Sequence, residues 1–284
     1  MVRTQEPLEG TKKHRLRRLG VVAFALVAVA IFGSLPASAI TSGQPDGSGH
    51  PYVGVLVDDY ETPGYFQRFC SGTLVAPRLV VTAAHCLVAM VDDQVWLSFD
   101  PIYQPGVSTL IHGTGYAAVD PTNFHGANGA GTQYGHSDLA NDIAVVHLDS
   151  PAPVTTFGEL PTAGKLSTLN LKDAAFTAVG YGRTRVDKTN GPNNIESNFD
   201  PDYRNVATVG FRNLLNAVVD TDENPARGYG GGCYGDSGGP LFLGNVMVAI
   251  SITGDTTCRA AGRYYRLDTP FARQFLASQG VTLP

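Results

Sequence analysis

From residue 40 onward, short apolar runs alternate with clusters of Gly, Pro, Asn and Asp. The runs fall at residues 52–57, 79–81, 95–99, 143–148, 175–179, 241–243, 246–252 and 264–267. Short runs punctuated by turn residues predict an all-β sandwich or barrel. Helical periodicity is weak until the end of the chain. There Thr269 can cap a helix, Pro270 suits its first position, and Phe271 and Phe275 share one face. These features predict a short C-terminal helix packed on the body. Two long polar stretches, 112–139 and 183–205, read as loops, which at such length are usually functional or mobile. Pro151-Ala152-Pro153 reads as a connector between two halves, and no internal repeat is visible.

The first 39 residues follow another pattern. Lys12, Lys13, Arg15, Arg17 and Arg18 form a basic run, residues 21–35 are apolar, and Ala37-Ser38-Ala39 offers small residues for cleavage. That order predicts a secretory signal peptide over 1–39 and a secreted domain over 40–284. The apolar run is shorter than the about 20 residues a spanning helix needs, and Pro36 interrupts it. No membrane association is expected after cleavage.

Setting this segment aside changes the charge. Six of the 20 basic and two of the 25 acidic residues lie within it, which leaves 14 and 23 and a net charge of −9. An acidic secreted domain has no electrostatic case for nucleic acid or an anionic membrane surface. The four cysteines, Cys70, Cys86, Cys233 and Cys258, all follow residue 40. An oxidising compartment favours disulfides among them, with three pairings open. No C-x-x-C pair suggests a zinc site, and His112, His125, His136 and Asp138 lack metal-ligand spacing. No metal and no cofactor are expected.

The strongest chemical signal is Gly235-Asp236-Ser237-Gly238-Gly239-Pro240. Glycines on both sides of a serine allow a tight turn and a close backbone approach to a ligand. A serine hydroxyl becomes a useful nucleophile only when a base takes its proton and donors hold the oxyanion. The amides of Gly235 and Ser237 are candidates for those donors. Thr82-Ala83-Ala84-His85-Cys86 places a histidine beside a cysteine, where a disulfide would pin the general base. Asn141-Asp142-Ile143-Ala144-Val145 places an acid at the mouth of an apolar strand, where it could orient the imidazole.

These three segments, in the chain order His, Asp, Ser, resemble the signature segments of the trypsin/chymotrypsin-like serine protease family. The resemblance extends over nearly all of residues 40–284. Cys70 and Cys86 match the family's first-barrel disulfide, Cys233 and Cys258 the pair that braces the substrate pocket. Val179-Gly180-Tyr181-Gly182 resembles the strand and turn that open the second barrel. The resemblance implies two antiparallel six-stranded β-barrels, about 40–155 and about 156–284, with a cleft between them. It implies a Ser237–His85–Asp142 triad, an oxyanion hole at Gly235 and Ser237, and hydrolysis of proteins or peptides through an acyl-enzyme by a monomer. The order of the three residues argues against an α/β-hydrolase esterase, whose serine comes first. An inactive homologue would be expected to have lost one of the three.

In this family a freed N-terminal amine pairs with the acid before the nucleophile. Cleavage after Ala39 would expose Ile40-Thr41-Ser42-Gly43, making Ile40 and Asp236 the expected pair. Thr41 and Ser42 depart from the family's Val-Gly, and no Arg or Lys precedes Ile40. For the pocket, the resemblance puts Gly231 where trypsins carry a specificity-determining Asp. Gly232, Tyr234, Ser251 and Thr253 fall on the walls and Gly262 at the base. The resulting expectation is a non-tryptic pocket for a small-to-medium uncharged side chain, with Arg263 pointing outward.

Overall fold

The computed structural model describes Met1 and residues 40–59, 62–87, 94–118, 141–183 and 203–284. The expected signal peptide, His125, His136, Asp138 and most of the two polar stretches lie outside the described residues. Among those described, no helix is long and apolar enough to cross a membrane.

A two-residue strand, β1 (Gln44–Pro45), opens the domain. Six strands then close a barrel: β2 (Val53–Asp58), β3 (Gln67–Ala76), β4 (Leu79–Thr82), β5 (Gln94–Ser98), β6 (Ile111–Ala117) and β7 (Ala144–Leu148). Their spatial order is β2-β3-β4-β7-β6-β5, and β2 pairs with β5 to complete the ring. A second barrel follows: β8 (Ala175–Gly180), β9 (Asn205–Leu214), β10 (Val218–Asp222), β11 (Pro240–Leu243), β12 (Val246–Gly254) and β13 (Ala261–Arg266). Here β8 pairs with both β9 and β11, which closes the sheet. Closure leaves neither set of six strands an unpaired edge, the usual route to aggregation in all-β proteins.

All eight apolar runs named above become strands. The structure adds the two-residue β1 and also β3, β6, β9 and β10, which carry too many glycines and polar residues to stand out. The expected loop over 112–139 is corrected at its start, because His112 to Ala117 belong to β6. The glycines that made this segment look loop-like are required by the barrel. A Cβ on Gly113 would lie 2.8 Å from the His147 carbonyl oxygen, and one on Gly115 would lie 2.5 Å from Leu87 Cδ1.

The two termini cross over the boundary expected near residue 155. β1 pairs with β9 of the second barrel. The C-terminal helix α1 (Pro270–Ser278) buries Ala272 and Leu276 in a cluster that also holds Leu56, Leu74, Val80 and Val146 of the first barrel. Thr269 Oγ1 accepts from the Ala272 amide at 3.3 Å, so the expected cap forms. The buried face, however, is Ala272 and Leu276. Phe271 is exposed, while Phe275 is partly buried and packs against the same cluster.

One buried ion pair ties these parts together. Arg204 donates from Nε to Asp46 Oδ2 at 2.8 Å, from Nη1 to the carbonyls of Val53 and Phe99, and from Nη2 to that of Gly47. Both side chains are almost wholly buried. Removing one partner strands the other charge, at a cost of about 3–5 kcal/mol. Arg204→Met is therefore expected to destabilise the domain by that amount, read as a lower denaturant midpoint. A change below about 1 kcal/mol, the scale of an exposed pair, would refute it.

Candidate active site

The site begins with the pairing of β4 and β7, in which Thr82 faces Ala144. That register brings two nearby positions together, His85 after β4 and Asp142 before β7. His85 sits in a single 3-10 turn, Ala84–Cys86, and the Cys70–Cys86 disulfide ties this turn back to β3. Asp142, only 1% exposed, grips the histidine at two points. Its Oδ1 accepts the His85 backbone amide at 2.9 Å, and its Oδ2 lies 2.8 Å from His85 Nδ1. A carboxylate offers only acceptors, so the Nδ1 proton lies between the two groups. Burial works to lower the pKa of His85, but the Asp142 charge and hydrogen bond outweigh it, and the net shift is upward from 6.5.

Ser237 arrives from the second barrel, on the loop before β11. Gly235 (φ +98°) and Gly238 (φ +78°) take left-handed conformations that L side chains avoid. Gly238 also has no room for a Cβ, which would lie 2.0 Å from Thr82 Oγ1 and 2.4 Å from the Ser71 carbonyl oxygen. The loop is thus pressed onto the first barrel. Two bonds from Ser71 hold it there: its amide donates to the Ser237 carbonyl at 2.8 Å, and its hydroxyl donates to the Gly235 carbonyl at 2.9 Å. Within the loop, the amides of Asp236, Gly238 and Gly239 donate to Cys233, Ser251 and Asp236 carbonyls. Among the described residues, no hydrogen bond uses the amides of Gly235 or Ser237. A second disulfide, Cys233–Cys258, joins the loop to the turn between β12 and β13.

His85 and Ser237 line one cleft of about 410 Å³. Gly232, Tyr234, Ser251, Thr253 and Gly262 line it as well. Gly231 does not, which corrects its placement on the pocket surface. The space a side chain at 231 would take is filled by Glu223, which follows β10 and does line the cleft. Sequence reasoning missed this carboxylate, since nothing in the order of residues links 223 to 231. Arg263 is held across the sheet by Asp220, with Nε to Oδ1 at 2.7 Å and Nη2 to Oδ2 at 3.2 Å, and stands outside the cleft lining as expected.

Asp236 is 3% exposed. Its oxygens accept the amides of Gly182 at 2.7 Å and Cys233 at 2.8 Å. Burial still pushes its pKa up to about 7 against those bonds and the Arg68 charge. Among the described residues it makes no ion pair. Ile40 is fully buried and has φ +55°, and the next residue, Thr41, exchanges backbone hydrogen bonds of 3.0 Å with Gly231. Among the described residues, no hydrogen bond joins Ile40 to Asp236. One group of potential metal ligands lies close together among the described residues, Cys70, His85 and Cys86, but both sulfurs are spent in the disulfide.

Residues 41–276 match the Trypsin family model. The chain belongs to the trypsin family. Mouse kallikrein 1-related peptidase b21 is 28% identical over 204 residues, which cover 68% of this chain and 73% of the relative. The trypsin of Saccharopolyspora erythraea is 27% identical over 232 residues, covering 74% and 84%. Among solved structures, human heparin binding protein superposes with a TM-score of 0.60 at 17% identity, over 86% of this chain and 99% of that one. A structure described as HL collagenase gives 0.58 at 15%, over 82% and 95%. These structural likenesses bear on fold alone. The sequence relationship makes this trypsin-family chain a member of a family of serine peptidases, which act on proteins or peptides.

Proposed function

We propose that the chain is an active, secreted serine endopeptidase that works as a monomer through Ser237, His85 and Asp142. The observation that carries this reading is the two-point contact of Asp142 with His85, made in the cleft that Ser237 also lines. In the proposed cycle Ser237 Oγ attacks the peptide carbonyl while His85 Nε2 takes its proton. Asp142 keeps the other proton on Nδ1 and stabilises the imidazolium. The carbonyl oxygen, as it gains charge, lies against the amides of Gly235 and Ser237. His85 then gives its proton to the leaving amine, and water attacks the acyl-enzyme by the same route in reverse. A fluorophosphonate probe is the direct test. Labelling of the wild type that is lost in Ser237→Ala supports the reading; an unlabelled, folded wild type would indicate an inactive homologue.

Export and activation are proposed to be one event, cleavage after Ala39. Ile40 is β-branched, and a left-handed φ crowds its Cβ against backbone carbonyl at a cost of roughly 1–2 kcal/mol. Hydrolysis of the 39–40 bond abolishes that torsion. It also releases an amine proposed to pair with Asp236, a buried carboxyl that makes no ion pair among the described residues. The amine's pKa, near 8 when unpaired, rises on pairing. Its stabilisation is complete below about 8 and disappears as pH climbs through the folded value. Activity should therefore decline on the alkaline side, and sequencing of the active protein should begin at Ile40. Any other start overturns this activation route.

A further inference from the structure

The two amides proposed for the oxyanion take their direction from the carbonyls on the far edges of their peptide planes. In a planar trans peptide the N–H and C=O point to opposite sides. The Tyr234 carbonyl accepts the Arg183 amide at 2.8 Å, and the Asp236 carbonyl accepts the Gly239 amide at 2.9 Å. Those bonds set the planes that carry the Gly235 and Ser237 amides. The peptide between them joins Gly235 to Asp236, and its amide donates to the Cys233 carbonyl at 2.9 Å. Its carbonyl is bonded by a side chain from the other barrel, the hydroxyl of Ser71 on β3. No other described residue donates to that carbonyl.

Ser71 is 0% exposed, and its hydroxyl has one direction open to it. Oγ accepts the Tyr181 amide at 3.0 Å, so its single proton goes to the Gly235 carbonyl, 2.9 Å away. Tyr181 is itself fixed, its own hydroxyl donating to the Asp100 carbonyl at 2.7 Å. The Ser71 amide bonds the Ser237 carbonyl at 2.8 Å, so one residue grips both ends of the segment from Gly235 to Ser237. Its surroundings are close. A Cβ on Gly180 would lie 3.1 Å from Ser71 Oγ, and one on Gly239 would lie 3.2 Å from Ser71 Cβ. Gly235, at φ +98°, has no side chain of its own to restrict its rotation, so the grip must come from outside.

We propose that Ser71 is a positioning residue for catalysis, its hydroxyl holding the Gly235 carbonyl so that the amides of Gly235 and Ser237 stay aimed at the developing oxyanion. The proposal rests on the peptidase reading above. Ser71 touches neither amide; its effect passes through the peptide that lies between their two planes. Without the hydroxyl both donors remain and only their aim loosens. The expected loss is therefore on the order of 10-fold, below the about 10²–10³ for removing an oxyanion donor outright.

The test is the rate of fluorophosphonate labelling as a function of pH, which requires no knowledge of the substrate side chain. In that step the bond from Ser237 Oγ to phosphorus forms, the P–F bond breaks and fluoride leaves. The serine proton passes to His85, and the phosphoryl oxygen lies where the oxyanion would. Ser71→Ala is expected to reach the wild-type end point, with a plateau rate about 10-fold lower and the acid limb set by His85 unmoved. On a peptide that the wild type cleaves, the loss should fall on kcat and leave KM in place. Ser71→Thr keeps the hydroxyl and should label close to the wild-type rate, although its extra methyl overpacks the site and lowers the melting temperature below that of Ser71→Ala. A role in packing alone would rank the two variants the other way in rate. Labelling of Ser71→Ala at the wild-type rate, or an acid limb that moves, overturns the proposal and leaves the peptidase reading standing. A Ser71→Ala chain that no longer folds also overturns it, because the hydroxyl would then hold the domain and not the loop. A wild type that takes no label refutes the peptidase reading, and this proposal with it.

Discussion

Ser237→Ala should lower kcat by on the order of 10⁶, the scale of losing the nucleophile in a serine peptidase triad, while the fold survives. The substitution removes one hydroxyl and keeps every contact that positions the loop. The Ser71 amide bonds the backbone carbonyl at 237, and the left-handed turns belong to Gly235 and Gly238. The variant would retain the cleft and the two amides proposed for the oxyanion. Such residual machinery leaves about 10³–10⁴ of acceleration over water. Single-turnover hydrolysis of a peptide amide, with a thermal melt beside it, measures both parts. If the variant hydrolyses at a rate within tenfold of wild type, another residue is the nucleophile. If it unfolds, the contacts assigned to the backbone were made by the hydroxyl.

Asp142→Asn carries the second largest effect, on the order of 10⁴ in kcat by analogy with other Ser-His-Asp enzymes. Asparagine is nearly isosteric and can still accept the His85 amide, so the turn should hold. Its amide can present a donor to Nδ1, which places the imidazole proton on the wrong nitrogen. The pH profile gives a separate readout. Asp142 raises the His85 pKa above 6.5 despite burial. A base must be unprotonated to act, so the acid limb of kcat/KM in the wild type should lie above 6.5. Without the Asp142 charge, burial dominates and the limb should move to lower pH. The stability sign follows the same shift. Imidazolium pairing contributes fully below 6.5 and is lost as pH rises through the folded pKa, and this pH dependence should vanish in the asparagine variant. A limb that stays in place would show that Asp142 does not tune His85.

Sequence alone was enough wherever one local rule governs an element. The eight apolar runs became strands because flanking turn residues and side-chain character act over a few positions. Thr269 and Pro270 marked the start of α1 for the same reason. The segments around His85, Asp142 and Ser237 were legible as a candidate site, and His85 lies against Asp142 in the cleft that Ser237 also lines.

The rest was decided by neighbours distant in sequence. Gly113 and Gly115 read as loop signals, but they are strand residues whose missing side chains make room for Val146, the His147 carbonyl and Leu87. Phe271 and Phe275 looked like the packing face of α1, yet Ala272 and Leu276 are its buried residues and Phe271 is exposed. A residue count along one loop cannot register what enters from the end of β10. The closed barrel sets Glu223 against Gly231 and Gly262, a contact that no motif records.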